Sequence, residues 1–209
     1  MEILTAIGMA SSAGLNAYIP LLVAGLLSRY TDVLSLSGGW QWLEDPWALG
    51  ILTVLLVVEL LADKIPILDH LNDVLQTVIR PTAGGIVFGA SGTAVSGDAD
   101  VAAADSGGGV WMIVVGAVIA LFFHAAKAVT RMMVNSASGG VGAPVVSTAE
   151  DAVSAVTALL AVLLPVLILL LVVVAVVALG WLAGWSYGRR VRPGPPRVSS
   201  RSRTFASGA

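Results

Sequence analysis

Residues 59–81 read ELLADKIPILDHLNDVLQTVIRP, directly after an uncharged apolar run, LGILTVLLVV (49–58). Six formal charges fall within this short stretch, whereas the rest of the chain before its tail is mostly oily or glycine-rich. Glu59 and Asp63 are four residues apart, so on a helix they share a face. Asp69, Asp73, Gln76 and Arg80 recur at helical spacing on one face, and Leu68, Leu71, Leu75, Val78 and Ile79 line the other. The pattern predicts a membrane helix whose inner end carries carboxylates. After Pro66 it predicts a short amphipathic helix lying at the membrane boundary.

The bulk composition agrees with a membrane setting. The chain has 209 residues, 57% hydrophobic and 11% charged, and a mean hydropathy of +0.91. Soluble domains carry about a quarter charged residues, so an integral membrane protein of several spans is expected, with no sizeable soluble domain. The absence of cysteine excludes disulfides, thiol catalysis and thiolate metal sites. The net charge of −2 says nothing about partners. Met1-Glu2 lacks the basic start of a cleaved signal peptide, so the first hydrophobic segment is expected to be retained.

Upstream of the charged stretch, residues 3–27 are long enough to span, but their middle reads SSAGLNAYIP (11–20). Two readings stay open. One is a kinked span whose small residues pack closely against other helices. The other is a broken helix whose half-helix ends, with Asn16, line a solute site. Residues 28–46 read as a polar loop, with Trp40, Trp42 and Trp47 at headgroup level, and a span is expected from about Trp47 to Ala62.

Downstream, TAGGIVFGASGTAV (82–95) places Gly85 and Gly89 in GxxxG spacing, a pattern suited to helix packing. Residues 96–109 form an acidic, flexible loop. The next span, VWMIVVGAVIALFFHAAKAVTRMM (110–133), carries His124, Lys127, Arg131 and then Asn135 on one helical face. Ser147 to Glu150 has capping-box spacing, so a helix is expected to begin there, with Asp151 favouring the positive end of its dipole. A weak internal echo links SSAGLNAYIP with SASGGVGAP (136–144), and LLADK (60–64) with HAAK (124–127).

The 34 uncharged residues from Ala152 to Trp185 would make a helix of roughly 50 Å, too long for a hydrocarbon core of about 30 Å. The chain therefore either kinks or turns a hairpin at Pro165. The hairpin gives six crossings and places 64–80, 127–147 and the arginine-rich tail together on the cytoplasmic side; five crossings separate the tail from the other basic segments. The expected fold class is an all-α, polytopic transmembrane helix bundle of 5–6 spans with a short interfacial helix. Residues 1–188 form the transmembrane domain and 189–209 a disordered cytoplasmic tail.

Several motifs occur together: AGLNAYIPLL near the N-terminus, ExxADKIPxxD at 59–69, IRP at 79–81, HxxKAxxR at 124–131 and SxxED at 147–151. In combination they resemble a bacterial integral-membrane family, the four-one-two-six family of domains of unknown function, over residues 3–185. The resemblance implies a polytopic inner-membrane domain and carries no activity with it.

The chemistry therefore rests on the residues. Charged groups inside a membrane cost about 2.5–3.5 kcal/mol each at the centre, so the candidate solute- or ion-binding set is Asn16, Glu59, Asp63, Lys64, His124, Lys127 and Arg131. Glu59 is expected to be protonated or paired with a cation, and Glu59 or Asp63 is expected within salt-bridge reach of Lys127 or Arg131, with Asn16 facing the same region. Lys64, Lys127 and Arg131 read equally well as snorkelling anchors.

An enzyme is not expected. There is no HExxH, Walker loop or nucleophile elbow, and a cluster of Asp69, His70 and Asp73 has poor helical geometry. No cofactor, metal or nucleic-acid partner is implied. Two functions remain. One is a small channel or transporter for an ion or an anionic, phosphate-bearing solute. The other is a membrane scaffold in which the same charges lock helices together. The bilayer is the expected partner, and Gly85/Gly89 with Gly180/Gly184 suggest a homo-oligomer.

Overall fold

The computed structural model describes residues 2–36, 38–64, 66–96, 108–139 and 142–190. Among these there are seven α-helices and one 3-10 helix, with no strand: α1 (Glu2–Leu15), α2 (Tyr18–Tyr30), the 3-10 helix (Gly38–Glu44), α3 (Pro46–Ala62), α4 (Pro66–Ser96), α5 (Gly108–Ser138), α6 (Ala143–Leu163) and α7 (Pro165–Arg190). The chain divides into two compact units, 1–174 and 175–209, with the boundary inside α7. Most of the acidic loop, and the tail from 191 onward, lie outside the described residues, as do the side chains of Asp69, His70, Asp73 and Asn135 and the surroundings of Gly184.

α5 and α6 each supply a helix long and apolar enough to cross a membrane, over Val110–Ser138 and Pro144–Leu163. A third candidate is the 3-10 helix followed by α3, a pair bent by 63°. α1 and α2 are shorter apolar helices. At 1.5 Å per residue each covers only about 20 Å, less than a hydrocarbon core.

In the first unit, α1 lies at the centre, against α4, α5 and α6. Its small residues allow this: Ala6, Ala10 and Ala13 have no exposed surface. Neighbouring helices turn one stripe inward at the spacing of a helical face. These stripes are Leu49, Leu52 and Glu59 on α3; Gln76, Arg80, Ala83 and Val87 on α4; Ala120, His124, Lys127 and Arg131 on α5; and Ser147, Asp151, Ser154 and Ala158 on α6. The outward faces are apolar, with Val54 and Val58 on α3, Val118 and Phe122 on α5, and Val153 and Val156 on α6 exposed. Polar groups lie inside and aliphatic groups outside, the arrangement suited to lipid.

The first segment is a broken helix. Pro20 has no N–H to offer the Asn16 carbonyl, and its ring crowds that turn. Asn16 replaces the missing rungs: its Oδ1 accepts from the backbone N–H groups of Tyr18 and Ile19, at 3.1 and 3.2 Å. Small residues on α1 also pack closely, so the kinked-packing reading describes its flank. A Cβ on Gly14 would collide with the Ala120 carbonyl on α5.

Four expectations need correcting. The interfacial helix is neither short nor separate, because α4 runs 31 residues and passes through Pro81. Packing of its second half against α5 outweighs the lost rung at the proline. Its polarity is also reversed: Gln76 and Arg80 are buried, whereas Val74, Leu75 and Val78 are exposed. The boundary pattern is the inward face of a bundle helix.

The segment 28–46 is an ordered cap rather than a loop. Leu34, Leu36 and Leu43 are buried, Ser28 Oγ donates to Glu44 Oε1 at 2.6 Å, and Arg29 donates to the Glu44 carbonyl at 2.7 Å. Trp40 packs beneath Gly89, where a Cβ would come within 2.7 Å of its ring. α6 starts at Ala143, with Pro144 in its first turn, so Ser147 is an internal, buried residue rather than a cap.

Helices α4 and α5 run antiparallel and touch backbone to backbone where Gly84 meets Gly116. The long apolar run breaks at Leu164, just ahead of Pro165, with φ −138° and ψ 65°, outside the helical region that a following proline disfavours.

A Cβ at Gly116 would strike the Gly84 carbonyl and the Phe88 Cβ, neither of which can rotate away. Gly116→Val is therefore expected to destabilise by at least about 1–3 kcal/mol, read as a fall in Tm in detergent. Gly50→Ala, with nothing within 4 Å of the new methyl, is expected to leave Tm unchanged or raise it slightly.

Candidate functional site

Five segments meet at the break in the first helix. From α1 come Ser12, the Leu15 carbonyl and Asn16; the end of α3 brings Glu59 and Asp63. α4 brings Asn72, Gln76 and Arg80, α5 brings His124, Lys127 and Arg131, and α6 brings Ser147, Glu150, Asp151 and Ser154. Apart from Asn72 and Glu150, which are part-buried, and the Leu15 carbonyl, whose residue is intermediate, these groups lie on residues at least nine-tenths buried.

Asp63 follows directly on α3 and caps its C-terminus. Its Oδ2 accepts from Arg131 Nη2 at 2.9 Å and from Ser147 Oγ at 3.2 Å, while Asn72 Nδ2 donates to Oδ1 at 2.7 Å. Lys127 Nζ stands 3.9 Å from the same carboxylate. The expected meeting of the two charged faces thus takes place between Asp63 and Arg131, with Lys127 beside them.

Glu59 takes a different partner from those expected. Arg80 Nη2 donates to Glu59 Oε1 at 2.9 Å, with both side chains essentially without exposed surface. Arg80 also donates from Nη1 to His124 Nδ1 at 3.1 Å. Because arginine only donates, His124 Nδ1 must accept, leaving Nε2–H for Thr77 Oγ1 at 3.3 Å. Helix α4, treated as a boundary helix, concealed Arg80 as a partner; its place at i+7 from Asp73 and i+4 from Gln76 was the available signal.

Lys127 closes the other side of the break. Its ammonium donates to the Leu15 carbonyl at 2.8 Å, the last carbonyl of α1, where a cation suits the negative end of the helix dipole. It also pairs with Glu150 Oε2 at 3.2 Å, which Arg131 Nε contacts at 3.0 Å. Asn16 Nδ2 donates to Asp151 Oδ1 at 2.9 Å, and Ser12 Oγ contacts Ser154 Oγ and its carbonyl, both at 2.8 Å. The pairings 12 with 154 and 16 with 151 mean that α1 and α6 run antiparallel.

Six of the seven predicted residues, Asn16, Glu59, Asp63, His124, Lys127 and Arg131, fall in this network. Lys64 does not: it is exposed, and its ammonium reaches Thr148 Oγ1 at 3.4 Å. Glu150, Asp151 and Ser147 were missed as site residues because their spacing read as a capping box. Among the described residues, no group of three or more His, Asp or Glu side chains is arranged to hold a metal ion.

Two buried carboxylate oxygens, Glu59 Oε2 and Asp151 Oδ2, have no hydrogen-bond partner among the described residues, and neither does Gln76 Oε1. Such atoms are costly unless a proton or cation satisfies them.

The family model described as "Domain of unknown function (DUF4126)" matches residues 3–185, which contain the whole network. The chain belongs to the DUF4126 family. No curated protein and no solved structure matches this DUF4126 chain. The family description names no activity, so the reading of this DUF4126 site rests on its geometry.

Removing one member of a buried pair leaves the other uncompensated, which costs about 3–5 kcal/mol. Arg80→Met is expected to destabilise by that order, and Glu59→Gln with Arg80→Met to recover part of it, as a double-mutant cycle on Tm or denaturant midpoint would show. The corresponding cycle for Glu59 and Lys127 is expected to show a smaller coupling, since they form no direct bond. Lys64→Ala is expected to leave Tm unchanged.

Proposed function

We propose that this domain moves a small ion or polar solute across the bacterial inner membrane through the polar region at the Asn16 break. The observation that carries the reading is the break itself. A helix interrupted inside an apolar bundle has both free ends held by side chains of a buried charged network, with unsatisfied carboxylate oxygens beside it. Interrupted helices whose ends face a polar site are the usual construction of transporter binding sites. The three network cations, Arg80, Lys127 and Arg131, each already face a carboxylate. That pairing favours a cationic passenger over an anionic or phosphate-bearing one.

In the topology that goes with this reading α1 and α2 enter and leave on one face of the membrane, because α1 runs antiparallel to α6; α3 to α7 make five crossings, the chain turns back at Leu164, and the arginine-rich tail lies in the cytoplasm. The distribution of arginine and lysine supports it. Self-association is part of the same proposal. Gly85 and Gly89 are used inside the bundle, against Ile113 and Trp40, whereas a Cβ on Gly180 would meet open space. Gly180 is thus the glycine available to a second copy.

The alternative is a scaffold that transports nothing, its charges serving as locks. The two ion pairs at 2.9 Å, Glu59–Arg80 and Asp63–Arg131, favour it specifically. Flux in proteoliposomes separates the two readings. Transport predicts an ion or solute flux that Glu59→Gln lowers at least tenfold in protein that retains its helical content. No flux for any monovalent cation or proton across a range of gradients, or full flux in Glu59→Gln, would overturn the transport reading.

A further inference from the structure

Among the described residues, four carboxylates (Glu59, Asp63, Glu150 and Asp151) and three fixed cations (Arg80, Lys127 and Arg131) meet in the network. In a region screened from water, a carboxylate without a cation in contact is costly. Three of the carboxylates have cations in direct contact. Glu59 has Arg80, Asp63 has Arg131, and Glu150 has both Arg131 and Lys127.

Asp151 differs from the other three. Among the described residues no cation lies within salt-bridge distance of it. Its single hydrogen bond comes from the neutral amide of Asn16 to Oδ1, and its Oδ2 is buried without a partner. The residue is 9% exposed. The groups that act on it from neighbouring elements are Asn16 at the α1–α2 break, Lys127 on α5, and Asp63 and Lys64 beyond the end of α3; Glu150 precedes it on α6. Lys127 is turned to the Leu15 carbonyl and Glu150, Lys64 to Thr148, and the described cation of α4, Arg80, to Glu59.

We infer that Asp151 is a proton-binding site: its Oδ2 takes up one proton from solution, converting the carboxylate beside the broken helix into a neutral carboxylic acid held by Asn16. The step is a simple protonation, with one O–H bond formed and the negative charge of Asp151 removed. Release of the proton restores that charge at the break. As a coupling site this deepens the transport reading and rests on it, with the proton as the ion.

The test reads the proton on the protein at equilibrium, in the full chain reconstituted in nanodiscs. Infrared difference spectra between stepped pH values are expected to show the carbonyl stretch of a buried protonated carboxyl group. The band should disappear in Asp151→Asn and persist in Glu59→Gln. Asparagine can still accept from Asn16, so Asp151→Asn is expected to fold with an unchanged Tm. Where it does not fold, Asp151→Glu is expected to shift the band instead.

A pH difference spectrum without a buried carboxyl band overturns the assignment. A band that survives Asp151→Asn, or a spectrum that responds to sodium or potassium rather than to pH, overturns it as well. Lack of flux in liposomes overturns the transport reading while the band stands. Lack of the band overturns the proton site whether or not flux is measured.

Discussion

The Lys127 ammonium is the contact around which the first unit is assembled. It donates to the last carbonyl of α1 and pairs with Glu150 of α6, and it stands beside Asp63 at the end of α3. Two helices, α1 and α3, therefore end at one cation carried by α5, and α6 passes beside it. With the Asn16 amide, it makes the break in the first helix stable. The carbonyl left without an i+4 partner gains an ammonium, and the N–H groups left without a carbonyl gain an amide oxygen. An unsatisfied backbone end in an apolar bundle costs several kcal/mol, so the break and the charges around it require each other.

That dependence explains which parts of the structure were legible from the chain. Composition identified an apolar, all-helical protein, and four-residue spacing placed Glu59 with Asp63 and Lys127 with Arg131. The pairing of those two faces followed from the cost of burying unpaired charge. The inward orientation of α4 was not legible, because an amphipathic pattern has the same period whether its polar side meets water or a buried network. Arg80 is the clearest instance: on sequence it resembled a boundary residue, and in the fold it is fully buried against Glu59. Pro81 misled for a related reason, since local propensity marks a helix end and tertiary packing overrides it.

The capping-box spacing at Ser147–Glu150 failed in an instructive way. Ser147 and Glu150 lie on one face because three residues make nearly a full turn, and that property serves a cap or an interhelical contact equally well. Here Ser147 donates to Asp63, and Glu150 accepts from Arg131. The helix begins earlier, where Pro144 fits the first turn. A short motif carries its meaning only together with the element that faces it.

The backbone contact between Gly84 and Gly116 has a consequence for how the bundle can move. Helices that touch main chain to main chain have no side-chain layer in which to slide, so α4 and α5 behave as one rigid plate. In the described network that plate carries every cation, Arg80, Lys127 and Arg131, while every carboxylate belongs to α3, its end, or α6. The interface between the plate and its neighbours is therefore an electrostatic clasp, positive on one side and negative on the other. Displacing α3 along the plate parts Glu59 from Arg80 and Asp63 from Arg131 together, and displacing α6 parts Glu150 from both Lys127 and Arg131.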